Sequence, residues 1–212
     1  MKRLISALVS LILCMSMVCV AEEKATIVAT TFPLYDIAKN VGGDLVNVVY
    51  VPDYQENSIE CDVIYVLSEE SAPWAKELKD VRVEVALKGI ELIEGDNDAF
   101  TAPINVMIAA SYLMDALCEI DPAHTDVYLL NYIAYFEQIN AIDAKFREAD
   151  IEDKFITCND GSMAYFAKEY GIQIQDGEEA CVLSTYNFPS EEDVLLSYAE
   201  LMLKNLEALL AK

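Results

Sequence analysis

Histidine is almost missing from this 212-residue chain: His124 stands alone against 37 acidic residues and 14 Lys and Arg. One imidazole excludes a zinc site built from several histidines of the chain itself. The shortage of cations, a formal charge of −23, argues against nucleic acid, because phosphate binding needs clustered Lys and Arg. The six cysteines contain no CxxC pair, so a zinc-finger reading fails on spacing. GxSxG, HExxH and glycine-rich phosphate-loop motifs are also lacking, and the chain is expected not to be an enzyme.

What is there begins with "MKRLISALVSLILCMSMVCVA". Lys2 and Arg3, an apolar run and a polar break at "EEK" describe a secretory signal peptide over residues 1–21, cleaved after Ala21. Export to the periplasm or cell surface follows from that reading. Its competitors are an uncleaved anchor, since the run is about the ~18 residues needed to span, and a lipid on Cys14 or Cys19. Membrane association is therefore confined to the leader or a lipid anchor. Loss of Lys2 and Arg3 with the leader takes the charge from −23 to −25. With 54% hydrophobic residues the remainder can bury a core and is no acidic disordered tail. Its four cysteines read either as buried free thiols or as two disulfides, Cys61–Cys118 and Cys158–Cys181.

The apolar runs "ATIVATT" (25–31), "VNVVYV" (46–51), "CDVIYVLS" (61–68) and "VRVEVA" (81–86) suit strands buried on both faces of a parallel sheet. "FPLYDIAKNVGGD" is a helix stopped at Gly42-Gly43, and "SAPWAKELKD" a short helix with Pro73 in its first turn. Pro103 opens a helix with a stripe of Ile104, Met107, Ala110, Met114 and Leu117. A longer one starts with Asp121 as N-cap and Pro122 at N1 and runs to Ala149, roughly 40 Å. Leu129, Ile133, Phe136, Ile139, Ile142 and Phe146 form its expected core stripe. His124 falls in its first turn, where a polar side chain is solvated or touches a cap. A second lobe follows: strand "KFITC", helix "MAYFAKEYG", strands "IQIQ" and "ACVLS". The chain closes in a helix capped by Ser190, with Asp193 three residues on.

The order of these segments resembles the zinc/manganese-type substrate-binding proteins of ABC transporters. The resemblance is carried by "TTFPLYDIAKNVGGDLVNVVYVP", "DVIYVLSEESAPWAKEL", "GIELIEG", "ALCEIDPAHTDVYLLNYIAYFEQINAIDAKFRE", "FITCNDGSMAYFAKEYGI" and "LMLKNLEALLAK". It implies an α/β fold of two small lobes with mainly parallel sheets, bridged by one long helix, with a metal between the lobes. The corresponding boundaries are 22–120 for the N-terminal lobe, 121–149 for the bridging helix and 150–212 for a shortened C-terminal lobe.

The metal ligands that the resemblance implies are imidazoles plus a carboxylate, and here they are altered. The loop that carries the first histidine is reduced to "VPDYQENSIECDV". Asp98, in "DNDAFTAP", stands at the second histidine position. Asn159, in "CNDGSMAYFAKEYG", stands at the third, followed by Asp160. The fourth ligand, an acid, has no clear counterpart between Gly171 and Pro189. Asp98, Asn159 and Asp160 are oxygen donors, suited to Ca²⁺, Mg²⁺ or Mn²⁺ better than to Zn²⁺. A divalent ion of unassigned identity, or none, is the corresponding cofactor expectation. The competing reading of "EGDNDAF" is an exposed acidic turn, and of "CNDG" a strand-to-helix turn with an Asn cap. Two functions follow: a component of a metal-ion ABC transporter with a degenerate metal site, monomeric and partnered by a permease, or an interaction module on the same scaffold. A distant third, a Cys158–His124 enzyme, fails because the resemblance puts the histidine at the start of the helix.

Overall fold

The computed structural model describes residues 24–52, 54, 59–94, 96, 98–151, 153–158, 163–175, 180–187, 193 and 196–212. The leader, Asn159, Asp160 and Ser190 lie outside the described residues. Four short strands, β1 (Ala25–Ala29), β2 (Val46–Tyr50), β3 (Val63–Val66) and β4 (Arg82–Val85), form a parallel sheet in the order β2-β1-β3-β4. β3 is buried at every residue, as a continuous apolar run on a doubly covered sheet requires. Helix α1 (Phe32–Gly42) returns the chain from β1 to β2 and ends at Gly43, whose φ of 56° is a conformation that glycine adopts without strain. The segment around Pro73 is a 3₁₀ turn, Pro73–Glu77.

Helix α2 (Pro103–Ile120) is long and apolar enough to cross a membrane by length and composition, but Val106, Ala109, Ala110 and Leu113 are fully buried in the protein core. Its buried face also takes Ala116, whereas Ile104 is largely exposed, so the expected stripe is turned by about one residue. A 3₁₀ turn at Pro122–His124 precedes α3 (Thr125–Glu148), which packs on α1, α2 and the last helix. The core stripe of α3 is Tyr128, Tyr135, Ile139, Ile142 and Phe146; Leu129, Ile133 and Phe136 face outward. The two tyrosines displace the expected aliphatics because their hydroxyls reach acceptors: Tyr128 donates to Asp121 at 2.7 Å and Tyr135 to Asp36 at 2.9 Å.

The second sheet is smaller and parallel, β6 (Gln173–Ile174), β5 (Phe155–Cys158) and β7 (Cys181–Leu183) in that order, with α4 (Ala164–Tyr170) between β5 and β6. The last helix, α5 (Tyr198–Leu210), is capped by Ser197 and Glu200 in a reciprocal capping box, not by Ser190 and Asp193. One continuous hydrophobic core includes Ile27 and Tyr65 of the first sheet, Tyr135 and Phe146 of α3, and Ile156 and Leu183 of the second sheet. Cys61, Cys118 and Cys181 are free thiols, so the proposed pairs Cys61–Cys118 and Cys158–Cys181 do not form. The Cys118 sulfur instead lies 3.6 Å from that of Met114, one turn back on α2.

Candidate functional site

In the first sheet β1 connects outward to β2 on one side, while β3 and β4 build the other side. Ligands of open parallel sheets bind at such a reversal, outside the carboxyl ends of the strands. A cleft of about 720 Å³ lies there, reached by Thr30 and Thr31 after β1, Tyr50 and Pro52 at the end of β2, and Leu67 and Ser68 after β3. Asn187, beyond β7, lines it from the second lobe. Trp74 and Tyr54 stack in its wall with ring centroids 5.0 Å apart.

Asp96, from "EGDNDAF", contributes a carboxylate to the cleft, and the two aspartates of that segment are not exposed as a surface turn would have them: Asp96 is 8% and Asp98 3% exposed. Hydrogen bonds hold both aspartates and the residues that follow. Asp96 Oδ1 accepts the Asp98 N–H at 2.7 Å, an Asx-type turn. Thr101 donates to the Asp98 carbonyl at 2.9 Å, Asn105 to that of Ala99 at 2.7 Å, and the Tyr198 hydroxyl to that of Phe100 at 2.6 Å. Each carboxylate then reaches the second lobe. Asp96 Oδ2 accepts the N–H groups of Ala164 and Tyr165 at 2.9 and 3.3 Å, where the positive end of α4 favours an anion. Asp98 Oδ2 accepts those of Tyr186 and Asn187 at 2.8 and 3.3 Å. Asn205 of α5 clamps the same loop through the N–H and carbonyl of Ser184.

Asp98 Oδ1 is buried and has no hydrogen-bond partner. Burial pushes the Asp98 carboxyl up to about 7, helped by the charge of Asp96 and opposed by the two N–H groups. The acids in the described lining of the cleft are Asp96 and Glu70, and Asp98 is absent from it. His124 is remote in role: its Nδ1 sits 2.7 Å from Asp121 Oδ2 at the start of the bridging helix. No group of three or more His, Cys, Asp or Glu able to hold a metal occurs among the described residues. Sequence reasoning missed Asp96, Tyr186 and Asn187 as the groups that join the lobes, since two of them act through backbone N–H groups that any residue supplies. It also missed Trp74, Tyr54 and Tyr50 as part of the cleft lining.

Residues 52–194 match the family described as zinc-uptake complex component A, periplasmic. The chain belongs to this family. Its members are extracytoplasmic binding components of metal transporters, not enzymes. Among its relatives, "Iron-binding protein YfeA" of Yersinia pestis is 29% identical over 183 residues, covering 71% of this chain and 58% of that protein. "Manganese ABC transporter substrate-binding lipoprotein PsaA" of Streptococcus pneumoniae is 25% identical over 72% of this chain and 61% of its own length. The chain therefore spans about three fifths of the length of these relatives. In structure it is similar to the Zn(II)-bound ZnuA-like domain of Streptococcus pneumoniae AdcA, with a TM-score of 0.75 and 20% identity over 88% of this chain and 98% of that one. The α/β architecture of two sheets expected from the sequence is this fold.

Proposed function

We propose that the chain is an exported, substrate-binding-protein-like component of a metal-type ABC transporter, partnered by a membrane permease, whose metal centre is degenerate. The observation that carries this reading is the use made of Asp98. Its position is one where the family resemblance implies an imidazole turned to a metal. Here one carboxylate oxygen is spent on the N–H groups of Tyr186 and Asn187, so hydrogen bonds join the lobes at a point where an ion would otherwise do so. The donors left at the family positions, Asp98, Asn159 and Asp160, are oxygens and number three. Hard cations take six to eight oxygens in all, so such a set holds Ca²⁺ or Mn²⁺ weakly, and it lacks the nitrogen and sulfur donors that select Zn²⁺.

Calorimetric titration of the full chain with Mn²⁺, Zn²⁺ and Ca²⁺ tests this, beside an Asp98→Ala, Asn159→Ala double variant. The expected result is little heat and no thermal shift, alike in both proteins. A saturating heat in the parent chain that the double variant removes would overturn the reading and restore a working metal centre at these residues.

A further inference from the structure

The cleft above β1 and β3 is large for a bare ion and poor in the donors an ion needs. Its volume of about 720 Å³ falls within the roughly 300–1,000 Å³ of small-molecule pockets. Most of the described lining is apolar or aromatic, and its hydroxyls are largely self-satisfied. Ser68 and Ser71 bond to one another, and Thr30 donates to the Tyr65 carbonyl. The exception is Thr31, whose hydroxyl oxygen is buried without a partner at the cleft wall.

Charge narrows the class of occupant. The described lining has no Lys, Arg or His and two acids, Asp96 and Glu70. Asp96 forms no ion pair with a basic residue among the described residues, and Glu70 lies within electrostatic reach of Lys76, which is itself paired with Glu69. Asp96 is 8% exposed, so its charge is little screened. Three aromatic side chains, Tyr50, Tyr54 and Trp74, border the same space, and their ring faces attract cations. A dianion or carboxylate would meet only negative charge. A bare divalent ion would leave most of the volume unfilled.

We propose that this cleft binds a small organic monocation, an ammonium compound with an apolar body, its charge set between Asp96 and the aromatic wall and its polar end within reach of Thr31. The inference rests on the reading that the metal centre is degenerate, and it supplies what the retained cleft holds.

Trp74 is the only tryptophan in the chain, so its emission reports occupancy of the cleft directly. The full chain is titrated with choline and with benzyltrimethylammonium, beside the neutral isostere 3,3-dimethylbutan-1-ol, benzoate and MnCl₂. The expected result is a saturable change in emission with both ammonium probes, at least about tenfold weaker binding of the neutral isostere, and no response to benzoate. Asp96→Asn is expected to weaken choline about tenfold. Because Asp96 also braces α4, Tyr50→Leu at the exposed end of β2 serves as the second variant, with a loss of about fivefold. Absence of saturation with both ammonium probes would overturn the proposal. So would equal binding of the neutral isostere, or choline affinity unchanged in both variants. A saturating Mn²⁺ response removed by Asp98→Ala would refute the degenerate centre instead, which keeps the two failures apart.

Discussion

Asp98→Asn is the substitution whose effect on stability should change with pH. The carboxyl has a folded pKa of about 7 against an ordinary 3.8, with burial the main cause. Below about pH 4 it is protonated in both folded and unfolded chains. Between 4 and 7 the unfolded chain gives up the proton while the folded one keeps it. The folded state then binds more protons, so stability falls as pH rises through this window and levels off above 7. Three pKa units correspond to about 4 kcal/mol, large beside a total stability of roughly 5–15 kcal/mol. Asparagine keeps an oxygen for the N–H groups of Tyr186 and Asn187 and has no charge to bury. Its amide nitrogen takes the place of the unpartnered oxygen, much as the protonated carboxyl does. Urea denaturation of both proteins at pH 4, 5, 6, 7 and 8 should show curves that nearly coincide at pH 4. The variant should then gain, relative to the parent, up to about 4 kcal/mol by pH 8. Asp36, also raised, contributes equally to both proteins and cancels in the difference. A difference that stays constant from pH 4 to 8 would refute a buried, uncompensated carboxyl at this position.

Tyr135→Phe removes the hydroxyl that donates to Asp36, whose pKa burial already lifts to about 6. It should cost about 1–3 kcal/mol in denaturant unfolding at pH 7 and less at pH 4, where the acid is neutral. Gly43→Ala places a Cβ at a φ of +56° and 2.9 Å from the Asn131 amide nitrogen, which itself donates to the Val41 carbonyl. A loss of about 1–2 kcal/mol is expected, seen as a lower midpoint with unchanged slope. Ser197→Ala should cost about 1 kcal/mol by removing the capping box of α5, read as a lower thermal midpoint. An unchanged midpoint would contradict the observed start of that helix.

The strands were legible because a parallel sheet buried on both faces writes itself as uninterrupted runs such as Val63–Val66. The runs "ATIVATT" and "CDVIYVLS" overshoot their strands by two residues at the carboxyl end, and the overshoot is informative. Thr30, Thr31, Leu67 and Ser68 belong to the cleft. On α3 the aliphatic and Phe spacing points to Leu129, Ile133 and Phe136, whereas the core takes Tyr128 and Tyr135 in their place. A buried phenol behaves as a core residue once an acid accepts its proton, as Asp36 does for Tyr135. At the last helix the sequence offers two Ser-x-x-acid patterns, at Ser190 and at Ser197. Nothing local separates them. The second prevails in the structure because Asp193, the acid of the first, is held by Lys204 at 2.6 Å and Ser184 at 3.0 Å. The position of Asp98 was legible only through family resemblance, and its partners were not legible at all, being peptide groups.

The buried acids differ in the partners they take. Glu84, Asp143 and Asp193 each pair with a cation near them in the chain, Arg82, Arg147 and Lys204, and Asp143 also accepts from the Tyr170 phenol 27 residues on. Asp36, Asp96 and Asp98 make the long joints, 99, 68 and 88 residues apart, and their partners there are a phenol and peptide N–H groups. In a chain with 14 cations for 37 acids, neutral donors are the abundant resource for such joints. A neutral donor stabilises a carboxylate without cancelling its charge, so burial still prevails and the carboxyls of Asp36 and Asp98 are displaced upward. A cation opposes this shift without always cancelling it: burial raises the Glu84 carboxyl too, against the Arg82 guanidinium beside it. At Asp98 burial outweighs the two N–H groups that reach it across the lobe contact, which ties the pH dependence of folding to the atoms that join the lobes.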